Sequence, residues 1–154
     1  MAGRIDKRLA DLGIILPEIA APAANYVAFV QSGNLVFVSG QVARDAEGPI
    51  KGKMGAQTSL EAGYAAARTC AIWLMANMRD ACDGDLDRVV RLVKLTGFIN
   101  ATLEYDEHHK VMNGCSDLLV EVFGDKGRHA RSAIGSVSLP LGVAVEVEGI
   151  FEIA

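Results

Sequence analysis

The segment "VAVEVEGIFEI", residues 143–153, constrains the fold more than any other stretch of the chain. Val143, Val145, Val147, Phe151 and Ile153 recur on one side of an extended chain. Ala144, Glu146, Glu148 and Glu152 fall on the other. Side chains of a strand alternate between faces, so this pattern specifies a strand with one apolar and one polar face. It belongs in a sheet that is covered on one side only.

Other segments supply the partners and the cover. "YVAFVQSGNLVFVSGQV" places two apolar runs around "SGN", where Gly33 suits the positive φ of a hairpin turn. "RVVRLVKLTGFIN" carries Val90, Leu92 and Phe98 on one face and Val93, Leu95 and Ile99 on the other, which predicts a central strand. "SAIGSVSL" predicts a further strand, and Pro140 with Gly142 turns the chain into the last one.

Two long helices are predicted. In "TSLEAGYAAARTCAIWLMANMRDAC", Leu60, Tyr64, Ala67, Ala71, Leu74 and Met78 form a stripe. A second helix is predicted from Glu107 to Phe123, with Gly124 as terminator. "RIDKRLADLGI" predicts a short N-terminal helix, and Pro17 and Pro22 keep the following chain extended as far as Tyr26. The glycine-rich "ARDAEGPIKGKMGAQ" reads as a loop or weak edge strand. The resulting order, β-β-loop-α-β-α-β-β, is an α+β layer with two helices on one face of a mostly antiparallel sheet. Three copies closing their sheets together would cover the other face.

Composition bounds the rest. The 154 residues predict a single domain spanning 1–154, with residues 1–22 as a helical extension. Hydrophobic residues make up 51%, which argues against disorder and for burial of surface between subunits. A net charge of −4 argues against general binding to nucleic acid, which depends on displaced phosphate counterions. Cys70, Cys82 and Cys115 are odd in number and lack CxxC spacing, which fits a reducing cytoplasm. No apolar run is long enough to span a bilayer, and no secretion signal is recognisable.

Most motif-based chemistry is absent. His108 and His109 are adjacent, His129 stands apart, and no metal-ligand spacing occurs. "GPIKGKMG" matches neither phosphate-binding glycine pattern, and no GxSxG elbow is present. Cys70 and Cys115 lie on or beside apolar stripes, where a thiol acts as a small hydrophobe. Arg131 and Glu146 remain. Arg131 stands at a loop-to-strand junction, where its planar fork suits a small carboxylate. Glu146 lies opposite the valines and could accept a proton from water. The residues alone leave open an ordinary ion pair or two solvated sheet charges.

"NLVFVSGQV", "VVRLVKLTGFIN", "HARSAI" and "LPLGVAVEVEGI" together resemble the Rid/YjgF family, the reactive-intermediate (enamine/imine) deaminases once labelled L-PSP endoribonucleases. The resemblance runs over about residues 25 to 154. It implies a chorismate-mutase-like fold of the bacillus type, and a homotrimer whose sheets close into a central barrel. It also implies hydrolysis of 2-imino or enamino acids to 2-keto acids and ammonia in an inter-subunit cleft. Alternatives are a non-catalytic carboxylate-binding or stress-protective trimer and, ranked last, a ribonuclease. Carried over residue by residue, Arg131 would clamp the carboxylate, Glu146 would position water, and the Tyr26 hydroxyl would contact substrate. Gly40 and Ala133 would offer backbone contacts, and Asn113 would support the site. The resemblance implies no metal, cofactor, nucleic acid or membrane. His129 stands where the family often has proline, and Ala133 where it often has cysteine.

Overall fold

The computed structural model describes residues 3–22 and 24–154. It contains helices α1 (Arg4–Asp11), α2 (Leu60–Ala81) and α3 (His108–Phe123). The strands are β1 (Phe29–Ser32), β2 (Leu35–Val42), β3 (Arg44–Asp45), β4 (Gly48–Pro49), β5 (Val89–Asn100), β6 (Ala130–Ser136) and β7 (Val145–Ile153). Five of them form a mixed sheet in the order β1-β2-β7-β5-β6, while β3 and β4 pair as a small separate hairpin. Only the β5–β6 pair is parallel, because α3 crosses over the sheet between those two strands.

The two-faced strand anchors this layer. Val145, Val147, Phe151 and Ile153 of β7 are buried beneath the helices, whereas Glu148 is exposed on the opposite face. In β5, register shifts beside Val89 and Leu92 carry Leu92 onto the face of Leu95 and Ile99 rather than the opposite one, and all three join the same core. Val90 is 38% exposed, so within one chain only one face of β5 is covered. Phe37 and Ile134 likewise stay exposed on the uncovered side. The helices follow from local signals: the Ser59 hydroxyl caps α2 by accepting from the Ala62 amide (3.1 Å), and Gly124, at φ 63°, ends α3. Gly114 of α3 lies directly against the Tyr64 carbonyl of α2, so the two helices approach at a point with no room for a side chain.

The N-terminal extension is docked rather than free. The Asp87 carboxylate accepts hydrogen bonds from the Arg4 and Ile5 amides at 2.7 and 3.0 Å, capping α1 from a distant part of the sequence. Those amides hold the Asp87 carboxyl below its ordinary range. Ile5 and Leu9 are buried behind this contact. The expected extended run from Pro17 to Tyr26 crosses residue 23, which lies outside the described residues, as do residues 1 and 2.

Four further expectations change. Tyr64 is no core residue: it sits at the surface and its hydroxyl donates to Asp117 Oδ2 at 2.7 Å. Val143 lies just before β7, bridging to Lys51 across the loop. Ala144, assigned to the polar face, is buried for the same reason. The glycine-rich loop contributes Met54 to the core at 1% exposure. Its sulfur fills the space that Gly63 leaves on α2.

Candidate functional site

Glu146 projects from β7 onto the uncovered face, in register with Phe98 of β5 and Val42 of β2. The "SGQ" triplet of β2 builds its surroundings one residue at a time. Ser39 pins the segment before β1: its amide donates to the Ala28 carbonyl (2.9 Å) and its hydroxyl to the Val27 carbonyl (2.7 Å). That segment carries Tyr26. Gly40 lies under the Glu146 carboxylate, where a methyl group would collide with Oε1. Gln41 follows an irregularity in the β2–β7 register and spans it by donating from Nε2 to the Ser39 carbonyl at 2.8 Å.

These residues line a cleft of about 450 Å3. Pro22 of the extension and Leu141 of the turn before β7 form two of its walls. Leu141 holds a left-handed φ of 60° with its side chain 65% exposed, a strained conformation for a branched residue. Two further polar groups reach this cleft. Asn77 Oδ1 and Arg44 Nε are buried without a hydrogen-bond partner among the described residues. The Arg44 guanidinium stacks on Trp73, 3.5 Å from the ring centroid. Burial, and secondarily the charge of Glu148, raises the Glu146 carboxyl above its ordinary value.

Arg131 lies elsewhere. It pairs with Leu95, a core residue, so its side chain leaves β6 toward the helix-covered face. NH1 donates to Ser116 Oγ at 3.0 Å and NH2 to the His109 carbonyl at 3.2 Å, both on α3. A guanidinium carries five N–H donors, so three remain for a ligand. Ala133 follows two residues along β6 on the same face. Asn113 lies on the α3 stripe between His109 and Ser116.

The six predicted site residues therefore form two groups. Glu146, Gly40 and Tyr26 share the open cleft, while Arg131, Ala133 and Asn113 gather at the β6–α3 edge. Within one chain the groups do not meet. Arg131 and Glu146 stand on opposite faces, two strand spacings apart and three residues displaced along the sheet, each about 10 Å. Sequence reasoning missed Arg44 and Asn77 in the first group and Ser116 in the second. None belongs to a recognisable pattern, although Ser116 falls seven residues after His109, the spacing of one helix face. Cysteine chemistry is disfavoured, since Cys70 and Cys115 are fully buried and burial pushes both thiols up. No helix among the described residues is long and apolar enough to cross a membrane.

Comparison with known proteins places this architecture. The family described as "YjgF/chorismate mutase-like, putative endoribonuclease" matches residues 6–152. The chain is 47% identical over 154 residues to Protein TCP17 of Trypanosoma cruzi, covering 99% of this chain and 96% of the relative. Among solved structures it is similar to the protein Atu1372, of unknown function, from Agrobacterium tumefaciens. That match has a TM-score of 0.91 and 40% identity, covering 97% of this chain and 93% of the other. A Shewanella oneidensis protein described as a "putative endoribonuclease" also superposes at TM-score 0.91, with 33% identity and 97% and 99% coverage. With its mixed sheet, its helix layer and a match over nearly its whole length, the chain belongs to the YjgF/chorismate mutase-like family.

Proposed function

We propose that the chain hydrolyses 2-imino or enamino acids to 2-keto acids and ammonia in clefts completed by neighbouring copies, as a homotrimer. The observation that carries this reading is the division of the site. One group supplies a guanidinium with three free donors, and the other supplies a carboxylate with a raised pKa. The two lie on different surfaces of the chain. Two different surfaces meet in a head-to-tail contact, which gives a ring where the rotation closes, as the proposed trimer requires. The uncovered sheet face, with Phe37 and Ile134 exposed, supplies apolar area for that contact.

The chemistry asks little beyond positioning. The Arg131 fork holds the substrate carboxylate by parallel hydrogen bonds. Glu146 takes a proton from water as its oxygen bonds to the C=N carbon. The resulting carbinolamine receives that proton on nitrogen, its C–N bond breaks, and ammonia leaves as the hydroxyl gives its own proton to Glu146 and becomes the C=O. A carboxylate of raised pKa is suited to holding the proton between these steps. Tyr26 and the Gly40 backbone border the place where the substrate would lie. The ribonuclease reading would need a basic track, whereas the uncovered face mixes Arg91 and Lys94 with Glu146, Glu148 and Glu152.

The test couples the protein to an amino-acid oxidase and follows imine decay. Wild-type protein is expected to shorten the imine lifetime and Arg131→Ala to lose that effect. Equal rates for the two proteins would remove the reading.

A further inference from the structure

His129 is half-buried beside Arg131 and hydrogen-bonded at both ring nitrogens. Its ring lies between two elements. Nδ1 is 2.7 Å from the Gly127 carbonyl, and Nε2 is 2.9 Å from Ser116 Oγ. Ser116 Oγ in turn accepts from Arg131 NH1 at 3.0 Å. A carbonyl oxygen only accepts, so the hydrogen on the Gly127 side must sit on Nδ1. In the neutral ring Nε2 is then bare and can only accept. The Ser116 hydroxyl must donate to it, which turns the oxygen lone pairs toward the guanidinium. The chain of donors and acceptors closes with no group left over: Arg131 to Ser116 to His129 to Gly127.

We infer that His129 and Ser116 are a positioning pair for Arg131: the neutral Nδ1–H form of His129 orients the Ser116 hydroxyl, which fixes one arm of the guanidinium while the His109 carbonyl fixes the other. This rests on reading Arg131 as the carboxylate clamp. Burial lowers the pKa of His129, and the Arg131 charge adds to that effect against the Gly127 carbonyl, so the neutral ring predominates near neutrality. A protonated ring would instead aim a second cation at the same serine oxygen. Neither residue touches the substrate; both act through Arg131.

The test is a double-mutant cycle read by calorimetric binding of 2-oxobutanoate at pH 8, where every variant has a neutral residue 129. Ser116→Ala and His129→Leu are each expected to weaken binding about three- to ten-fold, the scale of one ordinary net hydrogen bond. The double variant should be no weaker than the weaker single one, because the two residues act in series. His129→Gln, which keeps an acceptor for Ser116, should bind nearly as wild type does. Wild-type affinity in His129→Leu, or losses that multiply in the double variant, would overturn the pair. Nitrogen-15 spectra of the histidine ring give an independent readout. Hydrogen on Nδ1 is expected, with the Nε2 signal moving in Arg131→Met; hydrogen on Nε2 alone overturns the pair. A wild-type protein that binds no keto acid would count against the clamp, while the ring spectrum still decides the pair.

Discussion

The two halves of the candidate site are built in opposite ways. At the β6–α3 edge, Arg131 is held by two side-chain hydrogen bonds, and one of its partners is itself oriented by His129. In the open cleft, the raised pKa of Glu146 has burial and a neighbouring carboxylate as its causes, with no hydrogen bond among them. One half is tied by hydrogen bonds, and the other carries none to its carboxylate among the described residues. A clamp benefits from rigidity, because the ordering cost of a guanidinium is met at folding rather than at binding. A base that takes and returns a proton benefits from a weakly held carboxylate.

The two charged groups carry the largest expected effects. Arg131→Ala or Glu146→Gln is expected to lower imine hydrolysis by about 100- to 10,000-fold, the usual contribution of a positioned acid-base group or an anchoring charge. Steady-state kinetics with an oxidase-generated imine checks it, and retention of most of the rate by either variant would contradict the assignment.

Gly40→Ala separates the loose half from the rigid one. The added methyl meets the far end of a flexible side chain, so Glu146 can swing aside at little cost in stability. A drop in kcat of about ten-fold or more is expected from a misplaced base, with the melting temperature nearly unchanged. Gly114→Ala is the converse. Its methyl meets the Tyr64 backbone carbonyl, which cannot rotate away, so α3 must shift against α2. Overpacking of this kind costs about 1–3 kcal/mol, measurable by urea denaturation. Because α3 carries Ser116 and the His109 carbonyl, that variant should also loosen Arg131.

The smallest effects come from pH. The folded state raises the Glu146 pKa, so between the ordinary value of 4.5 and its folded value the folded chain holds more protons than the unfolded one. Stability from this group is full below that window and is lost as pH rises through it. Glu146→Gln should therefore be slightly more stable than wild type at neutral pH. His129 works in the other direction. Its folded pKa lies below 6.5, so its contribution is present above that value and is lost as pH falls toward the folded pKa. Melting curves from pH 4 to 8 would check both signs.

Much of the fold was legible because its strongest signals are local. The alternation from Val145 onward, the hairpin around Gly33 and the α3 stripe ending at Gly124 each need only neighbouring residues, and each appears as read. Met54 was not legible, since its burial depends on Gly63 of a different element leaving room for it. Tyr64 fits an apolar stripe by spacing, but its hydroxyl finds Asp117 on the next helix and keeps the ring at the surface. The face taken by Arg131 was also hidden. "ARSAIGS" has no clean apolar alternation, so its orientation follows only from pairing with Leu95. Gly40 was named by resemblance alone, and the structure shows what a methyl there would meet, the Glu146 carboxylate. Asn77, Arg44 and Ser116 join their groups through contacts that no sequence spacing announces.

Catalysis of the proposed kind requires each site to take its guanidinium from one chain and its carboxylate from another. Co-refolding equal amounts of inactive Arg131→Ala and Glu146→Gln proteins tests this directly. Random assembly into a ring leaves about a quarter of the sites with both groups intact, so about a quarter of wild-type imine hydrolysis should return. If the mixture stays as inactive as its two components while co-assembly is verified, the site is not shared between chains and the proposed mechanism is wrong.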